Sequence, residues 1–327
     1  MSEISKRAPS EASEEAGQGS ANYSVAILLG AFNGAQYIAE QLDSIISQTH
    51  KNWVLHISDD GSVDETIDIV RSYIALLPAG KIFFHTGPGN GFAQNFLSLV
   101  RAEGVVADYY AFCDQDDIWL PDKIERALTF VTPEGELYPV LYCSRTRLVD
   151  ACGNPTGYSS LFVRKPSFNN ALVQSLAGAN TMLFNNAARE LLRCVPPTAT
   201  IVSHDWLVYM LTSGCGGKVL YDAVPRIYYR QHEGNLVGAN NGFSEKIKRL
   251  SRVIGGGVHR WNTSNLINLS CVEDRLTDSS RQVFSDFIAA REARGFKRMV
   301  LLKRSGVYRQ SRLDDLALCL AALIGKI

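Results

Sequence analysis

The chain has 327 residues, 46% of them apolar and 20% charged, which is ample for a sizeable core in one large domain or two smaller ones. Lysine plus arginine equals aspartate plus glutamate at 33 each, which excludes a globally basic nucleic-acid binder and an acidic-tail protein. The balance is uneven, however: Glu245 to Arg312 carries fifteen Lys/Arg against six Asp/Glu, a net +9 offset elsewhere.

Residues 1–22 lack an apolar run and are rich in Ser, Glu, Ala and Gly, so they read as a disordered lead-in and not as a targeting peptide. From Tyr23 the pattern is legible. SVAILLGAF reads as a strand ended by Asn33-Gly34, and Ile38, Leu42, Ile45 and Ile46 then recur at helical spacing, predicting a helix over 35–48. WVLHISDD is a second strand and DETIDIVRSYIALL a second helix, with Asp64 placed to cap it. Strand KIFFHT, a Gly/Pro/Asn loop from Gly87 to Gly91 and a helix from Phe92 to about Glu103 follow. ADYYAFCD is a fourth strand, and a further helix is expected near Asp122. Strands alternating with helices of this length predict an α/β fold with βαβ crossovers and a mainly parallel sheet.

Ligands of such sheets bind beyond the carboxyl ends of the strands, which are therefore the candidate site. They are Phe32-Asn33-Gly34, Ser58-Asp59-Asp60-Gly61-Ser62 and Asp114-Gln115-Asp116-Asp117. Neither GxGxxG nor GxxxxGK[ST] follows a strand, which argues against dinucleotide-binding and P-loop enzymes. Three carboxylates in four residues repel one another unless a cation or a proton neutralises them. Hard oxygen ligands suit Mg²⁺ or Mn²⁺ shared with substrate phosphates. Acids that merely complement a helix dipole would give the same local pattern.

SVAILLGAFNGAQYIAEQLDSIISQTHKNWVLHISDDGSVDET, followed about 50 residues later by AFCDQDDIWLPDKI, resembles the family 2 glycosyltransferases of GT-A fold. With His204-Asp205-Trp206 and YYRQHEGNLVGA the resemblance covers roughly residues 23 to 240. The combination DQDDIW, HDW and YRQH is similar to bacterial members that use dTDP-L-rhamnose. The resemblance implies that Ala31, Phe32, Asn33, Asp60, Asn95, Asp114, Gln115 and Arg230 meet the nucleotide-sugar. Asp60 then accepts the N3–H of a uracil or thymine, and Arg230 approaches the diphosphate. It further implies that Asp116, Asp117 and His232 serve the metal; which of the two aspartates touches it is left open by the sequence. Asp205 stands where the family has its catalytic base, in an inverting transfer where a carboxylate takes the acceptor hydroxyl's proton. Capping of the helix WLVYMLTS by Ser203 or Asp205 is the plainer alternative. Gly178-Ala179-Asn180-Thr181-Met182 is expected along the sugar and acceptor pocket.

Beyond about Gly242 the character changes. SEKIKRLSRVI reads as a basic amphipathic helix, and the closing LDDLALCLAALIGKI is apolar but too short to span a bilayer. The expected organisation is a lead-in over 1–22, a catalytic domain over 23–240 and a basic helical region over 241–327. The expected partners are a dTDP- or UDP-sugar donor, a glycan or lipid-linked glycan acceptor and the inner face of the cytoplasmic membrane, with no nucleic acid. Seven cysteines without a Cys-x-x-Cys pair, and no secretory signal, point to the cytoplasm. A protein that binds a nucleotide-sugar without turnover is the non-enzymatic alternative; its mark would be missing acids, and Asp60, Asp114, Asp116, Asp117 and Asp205 are all present.

Overall fold

Strand β1 (Val25–Ala31) is buried along almost its whole length, and the alternation of its side chains separates the interior into two halves. Ala26 and Leu28 face one apolar cluster, and Val25, Ile27 and Leu29 face the other. A computed structural model describes residues 22–135, 137–232 and 257–327 of this arrangement. All but the last residue of the expected lead-in, and the basic helix expected within 244–254, lie outside those residues.

The chain runs β1, α1 (Ile38–Ile46), β2 (Trp53–Asp59), α2 (Thr66–Leu76), β3 (Ile82–Thr86), α3 (Phe92–Arg101) and β4 (Tyr109–Asp114). It continues through β5 (Ile118–Trp119), α4 (Lys123–Val131), β6 (Val140–Ser144), β7 (Arg147–Val149), β8 (Pro155–Tyr158), α5 (Phe168–Ala171), β9 (Leu183–Asn185), α6 (Asn186–Arg193), α7 (His204–Gly214), β10 (Lys218–Asp222) and β11 (Ile227–Arg230). The main sheet has the order β10-β6-β9-β4-β1-β2-β3. Strands β4, β1, β2 and β3 are parallel, and β9 is inserted antiparallel between β4 and β6. The expected α/β fold with a mainly parallel sheet is therefore present.

The first helix is shorter than its apolar spacing predicts, because residues 32–37 form the turn that leaves the sheet. Asp64 does serve the start of α2: its Oδ1 accepts from the Thr66 amide at 3.1 Å, while Oδ2 accepts from the Ala35 amide at 3.1 Å. Glu65 holds the N-cap position itself, and Asp64, just before it, ties two strand-end loops together. A second sheet, β5-β11-β7-β8, was not foreseen. It matters because β5 begins right after the acidic motif and pairs antiparallel with β11, which carries Tyr228 to Arg230.

Among the described residues four further helices follow: α8 (Gly257–Ser270), α9 (Asp278–Glu292), α10 (Gly295–Ser305) and α11 (Arg312–Leu323). Thr277 caps α9 through the Ser280 amide, Ser311 caps α11 through the Asp314 amide, and Gly306, at φ 65°, ends α10 in the left-handed region. These helices add no separate core. Leu269, Phe284, Phe287 and Ala322 belong to the same apolar cluster as Phe112 of β4 and Leu207 of α7.

Candidate active site

The carboxyl ends of β1, β2 and β4 meet at one edge of the main sheet, with Ala31 paired to Asp59 and Gly30 to Asp114. Past β1 the chain must turn sharply, and Asn33 does so at φ 48°. Its amide donates to Ser62 Oγ at 2.8 Å, and its Oδ1 accepts from the Val63 amide at 2.9 Å. Gln115 holds the neighbouring residue by both ends of its carboxamide: Oε1 accepts from the Phe32 amide and Nε2 donates to the Phe32 carbonyl, each at 2.9 Å. The clamp needs Gly34, where a Cβ would lie 2.1 Å from Gln115 Oε1. The Phe32 ring is left exposed.

Asp59 and Asp60 divide the work of the second loop. Asp59 is buried and accepts from the Gly61 and Ser62 amides and from Ser62 Oγ. Asp60 accepts from the Gly89 amide at 2.7 Å and the Gly91 amide at 2.9 Å, so its carboxylate closes the Gly87–Gly91 loop. Each Asp60 oxygen retains a second lone pair for a ligand. Asn95 is buried, donating from Nδ2 to the Ser58 carbonyl at 2.8 Å, and it braces the strand ends from below.

The four residues of the acidic motif point in different ways. Asp114 is held up at about 8 by burial first, then by the charges of Asp116 and Asp205. Asp116 Oδ2 lies 2.8 Å from His232 Nε2, and Tyr37 packs against that imidazole with ring centroids 4.8 Å apart. Asp117, by contrast, is fully buried: Oδ2 accepts from Asn180 Nδ2 at 2.5 Å and Oδ1 from the Arg230 amide at 3.2 Å. Burial, then Asp116 and Asp114, push its carboxyl well above the usual range. Among the described residues no three His, Cys, Asp or Glu side chains converge closely enough to hold an ion alone. Crowded acids that repel, with one imidazole at the rim, nevertheless fit a divalent cation that completes its shell with substrate oxygens.

Three of the expected site residues are buried around this motif. Arg230 is buried, with its guanidinium committed to protein acceptors: Nε donates to the Asp116 carbonyl, Nη1 to the Ala151 carbonyl and Nη2 to Glu40. It also stacks over Tyr37. These bonds hold the Arg230 guanidinium against the turn of the acidic motif. Asp117, expected beside the metal, has both oxygens engaged beneath the motif and acts as its support. Asn180, expected to line the pocket, is the buried partner of Asp117. Glu40, Tyr37 and Ser175 were missed by sequence reasoning, since each reads as an ordinary helix or loop position.

Asp205 lies in the first turn of α7. Ser175 Oγ donates to its Oδ2 at 3.3 Å, whereas its Oδ1 is shielded from solvent and has no hydrogen-bond partner among the described residues. Burial raises this carboxyl, tempered by Ser203 and the helix amides. Asp205 is near enough to Asp114 for the two charges to be felt mutually. Ser203 holds the N-cap position and offers no side-chain cap bond, while the Asp205 carboxylate lies against the first amides of the helix. Beside it, His204 is stacked on Phe96 at 4.1 Å and edged by Phe112, and neither ring nitrogen has a hydrogen-bond partner among the described residues. All seven cysteines are free thiols, and the buried Cys113 thiol is pushed well up by desolvation. The Glu233-Gly234-Asn235 continuation lies outside the described residues.

Comparison with known proteins agrees with this layout. The model of the glycosyl transferase family 2 matches residues 26–157. Over 243 residues the chain is 32% identical to the dTDP-rhamnosyl transferase RfbG of Shigella flexneri, covering 69% of this chain and 78% of that one. TuaG of Bacillus subtilis, provisionally named a teichuronic acid biosynthesis glycosyltransferase, is 33% identical over 108 residues, or 33% of this chain and 41% of its own. Among solved structures, S. aureus TarS 1–349 in complex with UDP-GlcNAc superposes with a TM-score of 0.50 at 15% identity, covering 87% of this chain and 93% of that one. The mannosyltransferase PcManGT from Pyrobaculum calidifontis, in complex with GDP-Man and Mn²⁺, gives 0.50 at 15% identity over 94% and 88%. At such identity the likeness concerns the fold, which is GT-A.

Proposed function

The chain belongs to glycosyltransferase family 2, and from that premise we propose that it transfers L-rhamnose, with inversion, from dTDP-L-rhamnose to a lipid-linked glycan intermediate of a bacterial surface polysaccharide. The donor assignment is supported by the 32% identity to RfbG. The observation that carries the chemistry is that Asp205, at the start of α7, is close enough to Asp114, at the end of β4, for its charge to help hold that carboxyl up, and that among the described residues Asp205 Oδ1 has no hydrogen-bond partner.

In this reading the acceptor hydroxyl attacks the anomeric carbon from the face opposite the leaving diphosphate. The new C–O bond forms as the bond to the phosphate oxygen breaks, and Asp205 Oδ1 takes the hydroxyl proton. The sugar ring passes through an oxocarbenium-like state, stabilised by the surrounding carboxylates. Phe32, Asn33 and Asp60 take the nucleoside, Asp60 accepting a pyrimidine N3–H. Gln115 and Asn95 hold the loops that present them. Asp116 and His232, with Asp114 behind them, are the residues that would hold Mg²⁺ or Mn²⁺, which supplies Lewis-acid stabilisation of the departing diphosphate. Residues 23–240 form the catalytic unit and 241–327 its helical extension, working at the cytoplasmic face of the membrane.

A panel of dTDP- and UDP-sugars, incubated with purified protein, divalent cation and a lipid-linked acceptor extract, tests the proposal through release of the nucleoside diphosphate. Turnover of dTDP-L-rhamnose is expected. Turnover of UDP-hexoses alone would replace the donor, since the Asp60 carboxylate accepts from uracil and thymine alike. No turnover with any donor, beside retained nucleotide binding, would leave a binding protein.

A further inference from the structure

Helix α11 is apolar on two sides. Leu318, Ala321 and Ala322 pack inward, as a helix on a core should. Its outward side carries Leu313, Leu316, Leu320, Leu323 and Ile324, each between 54 and 79% exposed and spaced as one stripe. From Leu316 to Gly325 no side chain carries a charge or an oxygen or nitrogen atom. A helix apolar all round belongs in an interior or against another apolar medium.

Neighbouring segments extend the stripe. Arg298 Nη1 donates to the Ala322 carbonyl at 2.8 Å, which sets the start of α10 beside the last turn of α11. Phe296, 84% exposed, and Val300 stand on that part of α10. At the other end Arg164 pairs with Asp315 at 2.6 Å and donates to the Arg309 carbonyl. That brings the loop bearing exposed Leu161 and Val163 next to the first turn of α11. Segments far apart in the sequence thus present apolar side chains together.

Charge identifies what covers them. Residues 293–327 hold eight lysines and arginines against two aspartates, and both aspartates sit in the first turn of α11. Lys165, Lys297, Lys303 and Arg312 are exposed around the stripe. A two-fold dimer through this patch would set those cations against their own copies. An apolar band framed by cations matches acyl chains beneath anionic headgroups instead. We propose that the α10–α11 face is the surface by which the protein docks on an anionic lipid bilayer. The loop between these helices is bonded into the acceptor side: the Gln310 amide donates to Gln174 Oε1 at 2.8 Å, one residue from the Ser175 that holds Asp205. Docking therefore presents the acceptor side to the membrane.

This deepens the lipid-linked reading of the acceptor, but its test contains neither donor nor acceptor, so the two fail separately. Full-length protein is sedimented with vesicles of phosphatidylcholine alone or mixed with phosphatidylglycerol, and its own mass is followed by sedimentation velocity. Preference for the anionic vesicles is expected. Leu316→Glu/Leu320→Glu should weaken binding at least about tenfold, and Lys297→Glu/Lys303→Glu by about fivefold or more per cation and only on anionic vesicles. All four positions are exposed, and an unchanged thermal melt verifies folding. Equal binding to both vesicle types, no binding, or self-association abolished by the leucine variant would each overturn the proposal, the last in favour of a second copy.

Discussion

In the proposed reading, the donor side and the acceptor side of the site are finished to different degrees. On the donor side the protein satisfies its own polar groups: Gln115 grips Phe32 twice, Asp60 closes its loop with two amides, and Asp117 is held by Asn180 and Arg230. On the acceptor side Ser175 donates to Asp205 Oδ2 at 3.3 Å, with Ser203 and the helix amides close by, while among the described residues Asp205 Oδ1 and both His204 nitrogens have no hydrogen-bond partner. Asn95 Oδ1 is the donor side's exception. A buried polar group without a partner costs roughly 1–3 kcal/mol, so the acceptor side holds free energy that a bound hydroxyl releases. On that reading one half is complete before substrate arrives, and the other would be completed by it.

The largest effect that would break this contrast is at Asp205. Asp205→Asn should lower the transfer rate about a thousandfold, in the range for a general base, and leave donor affinity unchanged by calorimetry. Near-normal turnover would remove the base from this position. The two neighbouring acids sharpen it further. Asp117→Ala should cost about 3 kcal/mol in urea unfolding, because Asn180 and the Arg230 amide lose a buried partner. Asp116→Ala should leave stability intact or raise it by relieving Asp114, while abolishing cation-dependent nucleotide binding. Equal losses of stability in the two variants would erase the distinction between support and rim.

Acid should weaken the fold through its buried imidazoles. Burial depresses His204 to about 3 and, with help from His85 and Arg189, His56 to about 4. The unfolded chain takes up these protons near 6.5 while the folded chain does not, so stability is lost as pH falls from 6.5 towards 4. His204→Phe, in a surround of Phe92, Phe96 and Phe112, should recover about 2 kcal/mol at pH 5 and far less at pH 7.5 in paired urea titrations. A pH-independent gain would mean that packing, not protonation, is at issue. Smallest is Gln115→Ala, expected to raise the donor KM about tenfold with kcat nearly constant, as two hydrogen bonds that position Phe32 are lost.

The contrast also explains what was legible from sequence. Strands β1 to β4 announce themselves through apolar runs, and the loops after them through Asn33, Asp60 and Asp114, so the donor edge could be read before any coordinates. Asp116 and Asp117 look alike in sequence; only the pairing of β5 with β11 makes one a rim residue and the other a buried support. That second sheet is built of strands of two to four residues, too short for period-two alternation to register. Arg230 and Glu40 lie 190 residues apart, so nothing local marks their pairing. Ser175 is hidden for the same reason.

The shared interior of the sheet and the closing helices bears on how such enzymes can be recombined. Residues 26–157 hold the family's recognisable segment and the donor loops. Yet Phe112 within that segment belongs to one core with Phe284, Phe287 and Ala322. A chimera that exchanged the recognisable segment alone would carry the nucleotide loops to their new host but cut through a continuous core. Exchange of donor preference therefore requires either loop-sized grafts, from Phe32 to Asn33 and from Asp59 to Ser62, or transfer of the sheet together with the helices that close it.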